Sequence, residues 1–185
     1  MPNYFTGSGD DGFTGLLGDE RVPKYHLRPM ALGALDEASA ALGLARALAI
    51  SQQTKDLIKE LQRDLYQIMA ELAAVPEQAH HFRSVDADRL SWLENEIELM
   101  GERIKMPHGF ILPGDSASGG ALDLARTVVR RSERLIAQLQ HEGGIENPQI
   151  LPYINRLSSF CFVLALWEND QAGIDSPSLA KTTDS

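Results

Sequence analysis

From about residue 29 to residue 169 the apolar positions recur at three- and four-residue steps, the period of helices that bury one face. A first helix is predicted from Pro29 to Ala49, rich in small residues (Ala31, Gly33, Ala34, Ala38) that suit close packing. A second, Thr54 to Ala74, carries Leu57, Ile58, Leu61, Leu65, Ile68 and Leu72, and stops at Pro76. A third, Asp86 to Lys105, places Leu90, Leu93, Ile97, Met100 and Ile104 in a three-four-three-four seam. The fourth spans Ala117 to Gln140 with Ser116 or Ser118 as its cap, and Gly143–Gly144 closes it. Asn147 before Pro148 signals a fifth helix, to about Asn169, and Pro152 suggests that it settles only a residue or two later. No segment alternates like a strand. The pattern predicts an all-α fold, a five-helix bundle of antiparallel helices.

The ends of the chain read differently. Residues 1–27 hold "FTGSGDDGFTG", and 171–185, "QAGIDSPSLAKTTDS", are polar and read as a disordered tail flanking a bundle of 28–170. Gly7, Gly9 and Gly12 spell G-x-G-x-x-G, but only six residues precede them, Pro2 included, so no buried strand can lead in. No Gly-Lys-Ser/Thr closes a Walker loop either. A mobile N-terminus is the simplest reading of the stretch alone. Its glycines and the hydroxyls of Thr6, Ser8 and Thr14 also suit an anion cradle.

Composition narrows the function. The 185 residues suffice for one domain, and a net charge of −9 argues against a nucleic-acid or anionic-membrane binder. No apolar run of about 20 residues is expected to span a membrane, and the start resembles neither a secretory signal nor a presequence. Cys161 is the single cysteine and reads as a buried, inert thiol of a cytoplasmic protein.

One helix departs from the acidic background. "ALDLARTVVRRSERLIAQL" puts Arg126, Arg130, Glu133 and Arg134 on one face, with Arg131 beside them, and Ala121, Leu124, Val128, Leu135 and Leu139 opposite. A solvated face is the common reason for such a pattern; a polyphosphate site is the other, because guanidinium matches phosphate bidentately. The single E-x-x-H, Glu77 to His80, follows Pro76 in an expected loop and lacks the second copy a di-metal bundle needs. No G-x-S-x-G elbow supports a serine nucleophile. In "HGFILPG", Phe110, Ile111 and Leu112 form either a core plug or a wall for a flat ligand.

Taken together, these segments resemble the PduO-type ATP:cob(I)alamin adenosyltransferases from about Tyr4 to Ala165. The matched motifs are Thr6, Gly9, Asp10, Gly12 and Thr14; Glu20, Arg21, Val22 and Lys24; Gly33, Asp36 and Glu37; Phe110, Leu112, Pro113 and Gly114; Ala125 through Arg134; and Tyr153, Asn155, Arg156, Leu157 and Ser158. The resemblance implies a homotrimer with active sites at subunit interfaces. It implies ATP binding by Thr6, Gly7, Ser8, Gly9, Asp10, Thr14, Gly15, Lys24, Arg130, Arg131, Glu133, Arg134 and Asn155, with Mg²⁺ held through the phosphates and no side-chain metal motif. Asp36 would pair with Arg126 across the interface, both with Arg130 in catalytic roles, and Phe110 would sit beneath the corrin ring of cobalamin. A corrinoid reductase and an adenosylcobalamin-dependent enzyme are the implied protein partners. A non-enzymatic adenosylcobalamin carrier or nucleotide binder on the same bundle is the alternative. Four positions depart from the family pattern: Ser159 replaces an acid, Leu166 an arginine, Asp115 the second glycine of "LPGG", and Leu32 an aromatic residue.

Overall fold

Each amphipathic run forms a helix whose ends are set by identifiable groups. In the computed structural model, which describes residues 4–181, α1 is Leu27–Leu48, α2 Gln52–Ala73, α3 the short Pro76–Ala79, α4 Ala87–Gly101, α5 Ala117–His141 and α6 Ile150–Gln171. Ser51, Asp86 and Ser116 cap α2, α4 and α5 by accepting from the amides of Thr54, Arg89 and Gly119. Helix α1 packs against α2 and α5, and α6 lies against α4 and α5. The core is continuous through the bundle, from Leu35, Leu42, Leu61 and Leu65 to Val129, Ile136, Phe160 and Leu164.

The structure departs from the sequence pattern at five points. Two strands do exist: β1 (Phe13–Gly15) and β2 (Arg21–Pro23) pair antiparallel with Thr14 opposite Val22. Three residues are too few to show alternation, so the hairpin leaves no periodic trace. Helix α4 ends at Gly101 rather than Lys105, and α6 begins at Ile150 rather than Asn147. The buried Asn147 side chain works in two directions: its Oδ1 accepts from the Gln149 amide at 3.0 Å, in the turn that leads into α6, and its amide donates to Glu71 Oε2 and the Val85 carbonyl, each at 3.0 Å. On α5 the core face is Leu122, Ala125, Val129, Ser132 and Ile136, and Leu124, expected to be buried, is 52% exposed. Finally, α6 is long and apolar enough, by length and composition, to cross a membrane, and most of that span is buried among its neighbours.

Buried polar groups lock the helix ends. The guanidinium of Arg28 donates to the carbonyls of Leu72 (2.7 Å), Ala74 (3.3 Å) and Gly144 (3.1 Å), tying the start of α1 to the ends of α2 and α5. Buried Glu168 accepts from the amides of Ile50 (2.7 Å) and Ser51 (3.1 Å) in the α1–α2 turn. Tyr153 donates to Asp64, which also holds Arg89. Burial, followed by the Asp64 charge, pushes the Tyr153 hydroxyl well above its ordinary value.

Candidate functional site

The hairpin organises the glycine stretch. Gly7 and Gly12 adopt positive φ (70° and 84°), a region open to glycine without strain. The amides of Asp10 and Gly12 close turns on the carbonyls of Gly7 and Gly9, both at 3.1 Å. Arg21 grips Asp11 with two hydrogen bonds, 3.0 and 2.9 Å, and reaches the Ser8 carbonyl at 2.7 Å. That hydrogen bond from Arg21, with one from the Phe13 amide, holds the Asp11 carboxyl below its ordinary value. The Thr6 and Ser8 hydroxyls bond each other at 2.8 Å. Thr14 and Gly15 lie in the ladder. The Lys24 ammonium lies over Gly9: a Cβ there would come within 3.0 Å of Nζ. Among the described residues, the amides of Gly7, Gly9 and Asp11 find no acceptor in the chain. The sheet is anchored to the bundle through Leu17, whose amide and carbonyl bond Ala73 O (2.7 Å) and Val75 N (3.0 Å).

The arginine helix forms a second feature on the side of the bundle. Its N-terminus is rigid, because Ser116 Oγ also donates to Asn169 Oδ1 at 2.6 Å. Gly119 is required there: a Cβ would fall 2.1 Å from that oxygen. One open cleft of about 380 Å³ is lined by Met106, Arg126, Arg130, Ser158, Ser159, Phe162 and Val163. A second, about 340 Å³, is lined by Gly109, Phe110, Ile111, Pro113, Asp123, Arg126 and Phe162. The two share Arg126 and Phe162, so they form one trough, cationic at one end and apolar at the other. Arg126 Nε bonds buried Asp123 at 3.1 Å. Arg131 pairs with Glu37 of α1. Glu133 accepts from Asn155 at 2.7 Å, and Asn155 accepts from Arg156 at 3.0 Å. Among the described residues Arg130 and Arg134 have no hydrogen-bond or ion-pair partner. Phe110 stands 82% exposed at the tip of the α4–α5 loop.

Within one chain, then, Arg126, Arg130 and Phe110 are brought to one trough, and Glu133 to Asn155. The glycine hairpin is not bonded to any of the α5 arginines. Asp36 is exposed on α1, and Arg126 takes Asp123 as its partner instead. Sequence reasoning missed Asp123, Phe162 and Ser158 as trough residues. The i,i+3 spacing of Asp123 and Arg126 was the available signal for the first. Glu77, His80 and His81 are exposed around α3 and the following 3₁₀ turn, away from this trough.

The fold is that of the PduO-type ATP:corrinoid adenosyltransferases. A variant of the PduO-type ATP:corrinoid adenosyltransferase from Lactobacillus reuteri, complexed with cobalamin and ATP, matches with a TM-score of 0.88 and 30% identity, covering 97% of this chain and 100% of that one. The cobalamin adenosyltransferase family model matches residues 4–168. This chain belongs to that family. It is 37% identical over 169 residues to the corrinoid adenosyltransferase PduO of Salmonella typhimurium, covering 91% of this chain and 50% of that protein. The chain therefore spans about half the length of that relative. It is 34% identical over 179 residues to the corrinoid adenosyltransferase of Mycobacterium tuberculosis, with coverage of 94% and 92%.

Proposed function

We propose that this protein transfers the 5′-deoxyadenosyl group of ATP to cob(I)alamin, forming adenosylcobalamin and releasing triphosphate. The observation that carries this reading is the trough, in which Arg126 joins a cationic pocket around Arg130 to an apolar one around Phe110 and Phe162. A polyphosphate beside a flat macrocycle needs that juxtaposition. Co(I) attacks the 5′ carbon, a cobalt–carbon bond forms, and the C5′–O bond breaks with its electron pair leaving on triphosphate. No protein nucleophile or base is required. The chain contributes positioning and charge stabilisation of the leaving group.

In this reading Arg130 and Arg134, which have no partner among the described residues, await phosphate oxygens, with Arg131, Glu133 and Asn155 completing the nucleotide wall. The glycine loop of Thr6, Gly7, Ser8, Gly9, Asp10, Thr14 and Gly15, with Lys24 folded over Gly9, supplies amides and hydroxyls to the triphosphate. Because loop and arginines are not joined in one chain, two copies build each site, as a homotrimer would provide. The exposed Leu44, Leu48 and Leu124 support a face covered by another copy, with Asp36 meeting Arg126 across it. Mg²⁺ enters with ATP in this reading, held by the phosphate oxygens, which suit a hard cation. Phe110 excludes a lower axial ligand from cobalt, making reduction to Co(I) accessible. A corrinoid reductase must supply that electron, an adenosylcobalamin-dependent enzyme uses the product, and the cytoplasm is the compartment assigned.

The test is the reaction itself. Purified protein with ATP, Mg²⁺ and chemically reduced cobalamin should convert the corrinoid spectrum to that of the alkylated cofactor. Binding of both substrates without that conversion would leave a carrier instead.

A further inference from the structure

The segment after α6, expected to be disordered, is attached through residue 180 to the loop that presents Phe110. Leu179 pairs antiparallel with Ile111. The Leu112 amide donates to the Ser178 carbonyl at 2.8 Å, and the Ala180 amide to the Phe110 carbonyl at 2.7 Å. Leu179 lies over Gly109, where a Cβ would meet its methyls at 3.5 and 3.8 Å. Asp115 closes the arrangement: its two carboxylate oxygens accept from the Ser178 amide (2.9 Å) and the Ser178 hydroxyl (2.6 Å). Asp115 directly precedes Ser116, which is fixed to α6 through Asn169. One side chain thus fastens the strap to the rigid start of α5.

Asp115 stands where the family pattern has glycine, which has no side chain to accept a bond. Residues 178–180 lie beyond the stretch, 4–168, that the family model matches. Among the described residues, the main-chain bonds at Phe110 and Leu112 both go to the strap. Among the described residues, no other main-chain hydrogen bond between elements holds residues 105–115.

We propose that Asp115 is a positioning residue that clips the 178–180 strap to the Phe110 loop and so fixes Phe110 for the corrinoid. The corrinoid part of this statement rests on the adenosyltransferase reading; the clip itself does not. Asp115 lines neither cleft and acts through the loop.

The experiment compares the full-length protein with Asp115→Ala, Asp115→Asn and Ser178→Ala. Hydrogen exchange is followed at the amides of Leu112 and Ala180, and cob(II)alamin and ATP are titrated separately. Asp115→Ala should speed exchange at both amides about tenfold and weaken cob(II)alamin binding about fivefold, with ATP affinity within twofold of the parent. Asp115→Asn, which keeps an acceptor for the Ser178 amide, should recover most of both effects. Ser178→Ala should produce part of each, and add little to Asp115→Ala in the double variant. Unchanged exchange in Asp115→Ala overturns the clip. Faster exchange with unchanged cob(II)alamin binding overturns the positioning role. If the parent protein binds no cob(II)alamin, the adenosyltransferase reading has failed, and the exchange rates alone decide the clip.

Discussion

Arg28 and Arg130 are the same residue type in opposite circumstances. Arg28 is buried, and three main-chain carbonyls from two helix ends use its guanidinium. Burial lowers its pKa from the ordinary arginine value. Arg130 is exposed in a cleft with no partner among the described residues. Where the chain completes a polar group's bonding internally, that group holds the fold. Where it leaves the group incomplete beside a concave surface, the group is reserved for something that arrives from outside.

The largest effect should come from breaking the completed end. Arg28→Ala strands three carbonyls and opens the junction of α1, α2 and α5, at a cost of about 4 kcal/mol in chemical denaturation. Arg130→Ala should do the reverse: the denaturation midpoint stays put, while adenosylation falls at least about 100-fold, equal to about 2.7 kcal/mol of transition-state stabilisation. If Arg130→Ala proved the more destabilising of the two, the division drawn here would collapse. Phe110→Ala should slow adenosylation about tenfold without altering thermal stability, since so exposed a ring adds little to the core.

The smallest effect concerns a group that faces no ligand. Burial pushes the Cys161 thiol from 9.0 to about 12. An acid raised in the folded state contributes fully below its unfolded value and loses that contribution as pH rises toward the folded one. Stability should therefore begin to fall above pH 9, by about 1 kcal/mol at pH 10 relative to a Cys161→Ala variant over the same range. A thiol reagent at neutral pH should leave the folded protein unmodified and react on unfolding.

The five long helices were legible because 15 to 25 residues give several turns of repeat, enough for burial to imprint a period. The hairpin was not, because its strands are three residues long and its order comes from Arg21 and Asp11 ten positions apart. Asn147 does accept from the Gln149 amide, as its sequence position suggests, but that bond closes a turn and the helix itself starts at Ile150, while the Asn147 amide satisfies buried Glu71. On α5 the arginine face was legible, but the opposite face was misjudged by about a quarter turn, since Leu124 is exposed and the core side runs through Leu122, Ala125, Val129 and Ile136. Arg28 left no trace at all: its partners are carbonyls, which every residue carries. The Asp115–Ser178 clip was equally invisible, two common polar residues 63 positions apart.

Glu168 carries a consequence for how the chain can vary. It grips the turn between α1 and α2 by the amide hydrogens of Ile50 and Ser51, not by their side chains. The Ile50 side chain is itself exposed. A library covering all twenty residues at position 50 should therefore be nearly flat, with a single gap at proline, the one residue that has no hydrogen to give. At position 168 the same library should accept almost nothing. The two ends of one interaction would thus evolve at very different speeds.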